Sequence, residues 1–85
     1  MQLVVRTADR VHQAKLDLDP GIEGSTTIRQ LTGVITQNFS LPLDSDYFLR
    51  SERAGKQLSP SHTLQEAGVV DGDTLELAPI IQAGR

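Results

Sequence analysis

One stretch limits what this chain can fold into more than any other. Ile28, Leu31, Ile35 and Phe39 recur at spacings of three, four and four residues. That spacing lines them up as one apolar stripe on an α-helix. Ser25-Thr26-Thr27 stands just before it, with side-chain oxygens suited to the free N–H groups of a helix start. Pro42 stands just after it and cannot continue a helix. The predicted helix covers about residues 26–39. Thr32 and Thr36 are mediocre helix formers, so the helix needs something to pack against. A sheet with one apolar face would provide it.

The flanking segments have the matching pattern. Met1 to Arg6 (MQLVVR) is short, β-branched and bounded by the polar Thr7-Ala8-Asp9-Arg10, which reads as a strand and a turn. From Val11 to Asp19 the sequence alternates, with Ala14, Leu16 and Leu18 on one face and Gln13, Lys15 and Asp17 on the other. This predicts a second, half-buried strand closing an N-terminal hairpin, ended by Pro20-Gly21. Tyr47 to Ser51 reads as a third strand, Tyr47 and Leu49 facing one way, Phe48 and Arg50 the other. Ala54-Gly55-Lys56 reads as a turn, and Leu58 as part of a short strand. Ser59 to Gly68 reads as a connection with one helical turn after Thr63. Asp71-Gly72-Asp73 reads as a hairpin turn, followed by a last strand from Thr74 to Ala78. Pro79, which lacks an N–H, is expected to end its pairing. The order is β-β-α-β-β-β. The expected fold class is α+β, with a four- to five-stranded mixed sheet and one main helix packed across it. The domain is expected at 1–79 and a flexible tail at 80–85.

Composition narrows the function classes. The chain has 85 residues, enough for one small core. Eight Lys+Arg against eleven Asp+Glu give a net charge of −3, which opposes a general nucleic-acid role. Arg50, Arg53 and Lys56 near Tyr47 and Phe48 are too few for a phosphate-binding face. With no cysteine there is no disulfide, zinc-finger spacing or thiol nucleophile. No apolar run approaches the ~20 residues of a membrane span. The Val-rich start has no basic region before it and does not read as a signal peptide, so the expected compartment is the cytoplasm. His12 and His62 lack partners at metal spacing. Asp71-Gly72-Asp73 has the opening of a calcium loop but not the later ligands. Asp44 and Asp46 read as solvated loop acids. Ser25 and Ser59 lack a nucleophile elbow, and no phosphate-binding glycine loop is present. No metal site, cofactor or catalytic residue is expected.

The residues also resemble a known family. Ala54-Gly55-Lys56-Gln57-Leu58 is identical to a stretch of eukaryotic ubiquitin, and Thr63-Leu64 and Thr74-Leu75 follow at ubiquitin's spacings. The stripe Ile28, Leu31, Ile35 repeats the spacing of ubiquitin's helix. Leu64 to Val69 together with Asp71 to Leu75 is similar to the bacterial YukD-like relatives. The resemblance spans nearly the whole chain and implies a ubiquitin-like β-grasp fold. Some YukD-like proteins are type VII secretion accessories, and others sit beside activating and conjugating enzymes in bacterial conjugation operons.

The resemblance places the conjugation site at Gly84. Counting on from Thr74-Leu75 without a gap brings ubiquitin's terminal glycine onto Gly84, with Ala83 in place of the penultimate glycine and Arg85 one residue beyond. It implies a bacterial protein modifier, trimmed between Gly84 and Arg85 by a peptidase. An activating enzyme that uses ATP and a conjugating enzyme would then act on it, and the modifier would be their substrate. Glycine suits the position because it lacks a Cβ and reaches backbone angles other residues avoid. Ile80, Ile81, Gln82 and Ala83 would form the recognised tail, which asks for a more apolar channel than ubiquitin's basic tail does. Val4, Phe48, Arg50 and Ala78 are expected together on the outer sheet face as a partner surface, Phe48 the anchor. Ubiquitin's own patch is not retained, since Ser51-Glu52-Arg53 stands beside AGKQL. Lys56 and Lys15, the two lysines, are candidate acceptors of a second copy. The alternatives are a non-covalent module, such as a secretion accessory, or a sulfur carrier activated at the same glycine.

Overall fold

The first strand, β1 (Gln2–Thr7), alternates between burial and exposure, with Leu3, Val5 and Thr7 turned inward. Its partner β2 (Gln13–Asp17) runs antiparallel, with Leu3 opposite Leu16 and Val5 opposite Ala14. The second strand therefore begins two residues later than the alternation from Val11 predicts. Asp9 is the reason: its carboxylate accepts the Thr7 hydroxyl at 2.5 Å and the Val11 N–H at 3.0 Å, folding residues 8–11 into a loop. The computed structural model describes residues 1–19, 21–42 and 46–80, and of Glu23 the backbone alone.

A short 3₁₀ turn (Ile22–Gly24) leads to α1 (Ile28–Asn38), inside the predicted 26–39. Thr27 caps it. Its hydroxyl accepts the Gln30 N–H at 3.2 Å, and the Gln30 side chain accepts the Thr27 N–H at 2.9 Å. This reciprocal pair satisfies two donors that a helix start leaves open. Ile28, Leu31 and Ile35 are buried, and Phe39 packs partly against them.

Three strands complete the sheet: β3 (Tyr47–Ser51), β4 (Lys56–Gln57) and β5 (Thr74–Pro79). Their order across it is β2-β1-β5-β3-β4, with β1 and β5 parallel and the other neighbours antiparallel. This is the expected α+β architecture, a five-stranded mixed sheet with one helix across it, consistent with a β-grasp. The helix stripe meets Leu3, Val5, Leu49, Leu75 and Leu77 from the sheet. Leu58, Leu64 and Val69 close the core from the long connection.

Three local expectations need correction. Lys56 lies in β4, paired with Ser51, and not in the turn; Gly55, with φ of 68°, supplies the reversal just before it. Leu58 follows β4 and is anchored by its N–H to the Leu49 carbonyl at 2.8 Å. Asp71-Gly72 does form a tight turn, closed by the Asp73 N–H on the Val70 carbonyl at 3.1 Å. It does not join two strands of a hairpin, because the segment before it is no strand.

Candidate functional site

Two parts of the molecule carry the residues singled out in the sequence: the sheet face turned away from the helix, and the end of β5. The outer face follows from the period of two. With Leu3, Val5, Leu49, Leu75 and Leu77 buried, the alternate positions Val4, Phe48, Arg50 and Ala78 point the other way, as expected.

The registers arrange these residues in rows. Lys15, Val4 and Thr74 form one row across β2, β1 and β5. Gln13, Arg6, Glu76, Arg50 and Gln57 form the next, from one edge to the other. Ala78 and Phe48 pair in the third. The structure thus brings Phe48, Ala78 and Arg50 together and sets Val4 apart from Phe48 behind a line of charges. Arg6 donates to both carboxylate oxygens of Glu52, at 2.5 and 2.6 Å. Arg50 faces Glu76 at 3.9 Å. Sequence reasoning missed Arg6, Glu52 and Glu76 as members of this face. All three could have been found, since Arg6, Glu52 and Glu76 lie two residues from the chosen Val4, Arg50 and Ala78.

Val4, Phe48 and Ala78 are each half-buried, and Arg50 is exposed. Lys15 and Lys56 are both exposed and lie on opposite edges of the sheet, in β2 and β4. Arg53 is held at the rim. Its guanidinium donates to the buried Asp73 carboxylate at 2.8 and 3.3 Å and to the Gly68 carbonyl at 2.8 Å. Asp73 also accepts the Val70 N–H at 3.0 Å. Burial alone would raise its carboxyl pKa. The hydrogen bonds from Arg53 and Val70 and the Arg53 charge outweigh burial and hold it below its ordinary value. Asp73 is therefore a clasp between the turn at 71–72 and the end of β3.

At the end of β5, Pro79 does not stop the pairing as expected. Tyr47 stands opposite Pro79, and the Ile80 N–H donates to the Asp46 carbonyl at 2.8 Å. The carbonyl of Leu77 faces β1, where it accepts the Ala8 N–H at 2.9 Å. Pro79, two residues on, directs its nitrogen to the same side, beyond the point where β1 has ended. No ladder bond is lost there, so proline is tolerated. Ile80 is thus tied to the sheet by its backbone while its side chain is exposed. Ile80 helps to wall a cleft of about 340 Å³ together with Arg29, Thr32, Thr36, Pro42 and Tyr47. Ile81, Gln82, Ala83, Gly84 and Arg85 lie outside the described residues, as does Asp44.

His12 stacks on Phe39, ring centroids 5.2 Å apart at 18°. Among the described residues no cluster of His, Cys, Asp or Glu could hold a metal ion, and no helix is long and apolar enough to cross a membrane. Neither a scan of protein-family models nor a search of curated proteins finds a match for this chain.

Proposed function

We propose that this chain is a ubiquitin-like protein modifier, of the YukD-like bacterial group, that becomes active when cleaved after Gly84. One observation carries this reading: a β-grasp-like order of elements joined to a gap-free count from Thr74-Leu75 to Gly84. In such a protein the domain is a handle and the tail is the reactive end.

The chemistry needs little from the chain itself. A peptidase removes Arg85 and frees the Gly84 carboxylate. On the activating enzyme that carboxylate attacks the α-phosphorus of ATP, forming an acyl adenylate and releasing pyrophosphate. A partner nucleophile then displaces AMP and takes the acyl group, which finally passes to a target. The cysteine-free composition agrees with a nucleophile supplied in trans. The Ile80 N–H bond to the Asp46 carbonyl holds the chain to the sheet as far as Ile80, which supports a tail counted from there. Ile80 to Ala83 would be read by the activating channel, and Phe48 with Ala78 would dock the domain on its enzymes.

Deletion of residues 83–85 tests the reading in cells that contain the partner enzymes. The truncated protein is expected to fold normally and form no conjugates. Conjugates formed without those residues would overturn the proposal. The pairing of Phe48 with Ala78 supports a second reading, a non-covalent module. In that case Phe48→Ala abolishes partner capture while Gly84→Ala does nothing.

A further inference from the structure

The sheet has two edges, and they are built differently. At one, β4 is two residues long, Lys56–Gln57, and offers little to pair with. At the other, β2 runs for five residues. Met1 and Leu18 exchange backbone bonds at 3.0 and 2.8 Å, and the Thr7 N–H reaches the His12 carbonyl at 3.0 Å. In an antiparallel pair such exchanges recur at every second residue. Hence Leu18, Leu16, Ala14 and His12 direct their backbone groups to β1. Gln13, Lys15 and Asp17 direct theirs off the edge, where no strand among the described residues covers them.

The side chains of this edge are self-complementary in one register. A two-fold contact between copies requires antiparallel strands, and outward-directed residues must oppose one another to bond. Centring on residue 15 sets Lys15 against Lys15. Centring on residue 17 sets Asp17 against Asp17. Centring on residue 14 leaves Asp17 without a cation. Centring on Leu16 sets Lys15 against Asp17 of the second copy, twice, on the outer face. The same register brings Leu16 against Leu16 on the helix-bearing face, as a close pair without mutual backbone bonds. Leu16 is only half-buried at the edge, whereas Leu3 beside it is fully buried.

We propose that two copies of this chain associate through β2, antiparallel and centred on Leu16, to make one continuous ten-stranded sheet. Lys15 and Asp17 select the register, and Leu16 supplies the apolar contact. The two-fold is closed, so the contact ends at a dimer. Nothing in this depends on Gly84 or its activation.

The test is sedimentation equilibrium of the full chain up to about 1 mM, the weak end of the affinity scale, with amide NMR shifts followed on dilution. The expected result is a monomer–dimer equilibrium with the largest shift changes at the Lys15 and Asp17 amides. Lys15→Asp and Asp17→Lys each place two like-charge pairs across the two-fold and should weaken the dimer at least ~10-fold. Both positions are exposed on the edge, so the variants keep the fold. The double variant Lys15→Asp/Asp17→Lys restores opposite charges in the same register and should recover the dimer. A chain that stays monomeric at the highest concentration overturns the proposal. So does a dimer indifferent to the single reversals, or a double swap that does not recover association.

Discussion

Asp73 is the residue whose role the sequence disguised most. Read along the chain, it is the second acid of Asp71-Gly72-Asp73, an ordinary turn. In the fold it is buried, and its carboxylate collects Arg53 from the end of β3 and the Val70 N–H from the turn. The contact spans twenty residues, so no local pattern announces it. Replacing Asp73 by Ala strands the Val70 N–H and should cost about 2 kcal/mol in urea unfolding. Arg53→Ala should cost less, since the guanidinium is more than half exposed and well solvated. The pH dependence follows from the sign of the shift. The folded carboxyl titrates below its ordinary value near 3.8, so the clasp stabilises the protein above that value. The stability is lost as pH falls through the lower, folded pKa. Thermal melts of wild type should therefore fall below about pH 4, and the Asp73→Ala variant should lose less over the same range.

At the scale of elements, the parts that rest on periodicity were legible. The helix stripe, its start within Ser25-Thr26-Thr27, the limits of β3 and the inward faces of β1 and β5 all follow from spacing and capping chemistry, and the fold selects Thr27 as the cap. Removing that cap, Thr27→Ala, should cost about 1 kcal/mol by chemical unfolding. Truncating the stripe at its centre, Leu31→Ala, should cost about 3 kcal/mol, because the residue is enclosed by sheet and helix. What escaped was whatever depends on a neighbour. The start of β2 is set by the Asp9 side chain. The pairing past Pro79 depends on where β1 stops, a fact about another strand. The outer face was assigned to the right residues, but its division into rows required the register of β1 against β5. That register sets the Arg6, Glu76 and Arg50 row between Val4 and Phe48. A partner that docked on this face, as proposed, would therefore centre on Phe48 and Ala78, and Val4→Ala should affect its capture less than Phe48→Ala.

The whole molecule joins a domain held by one leucine- and isoleucine-rich core to a C-terminal stretch whose reading rests on a count. A domain of this size has about 5–15 kcal/mol of net stability. The individual losses predicted above are thus large fractions of it, while edits beyond Ile80 should leave the melting temperature unchanged. Stability and conjugation should therefore separate cleanly. The direct test is the intact mass of the protein from the cells that make it, with denaturing gels for higher-mass adducts. A free form lacking Arg85 alone, accompanied by adducts, is the predicted result. A population that retains all 85 residues and forms no adducts would contradict it.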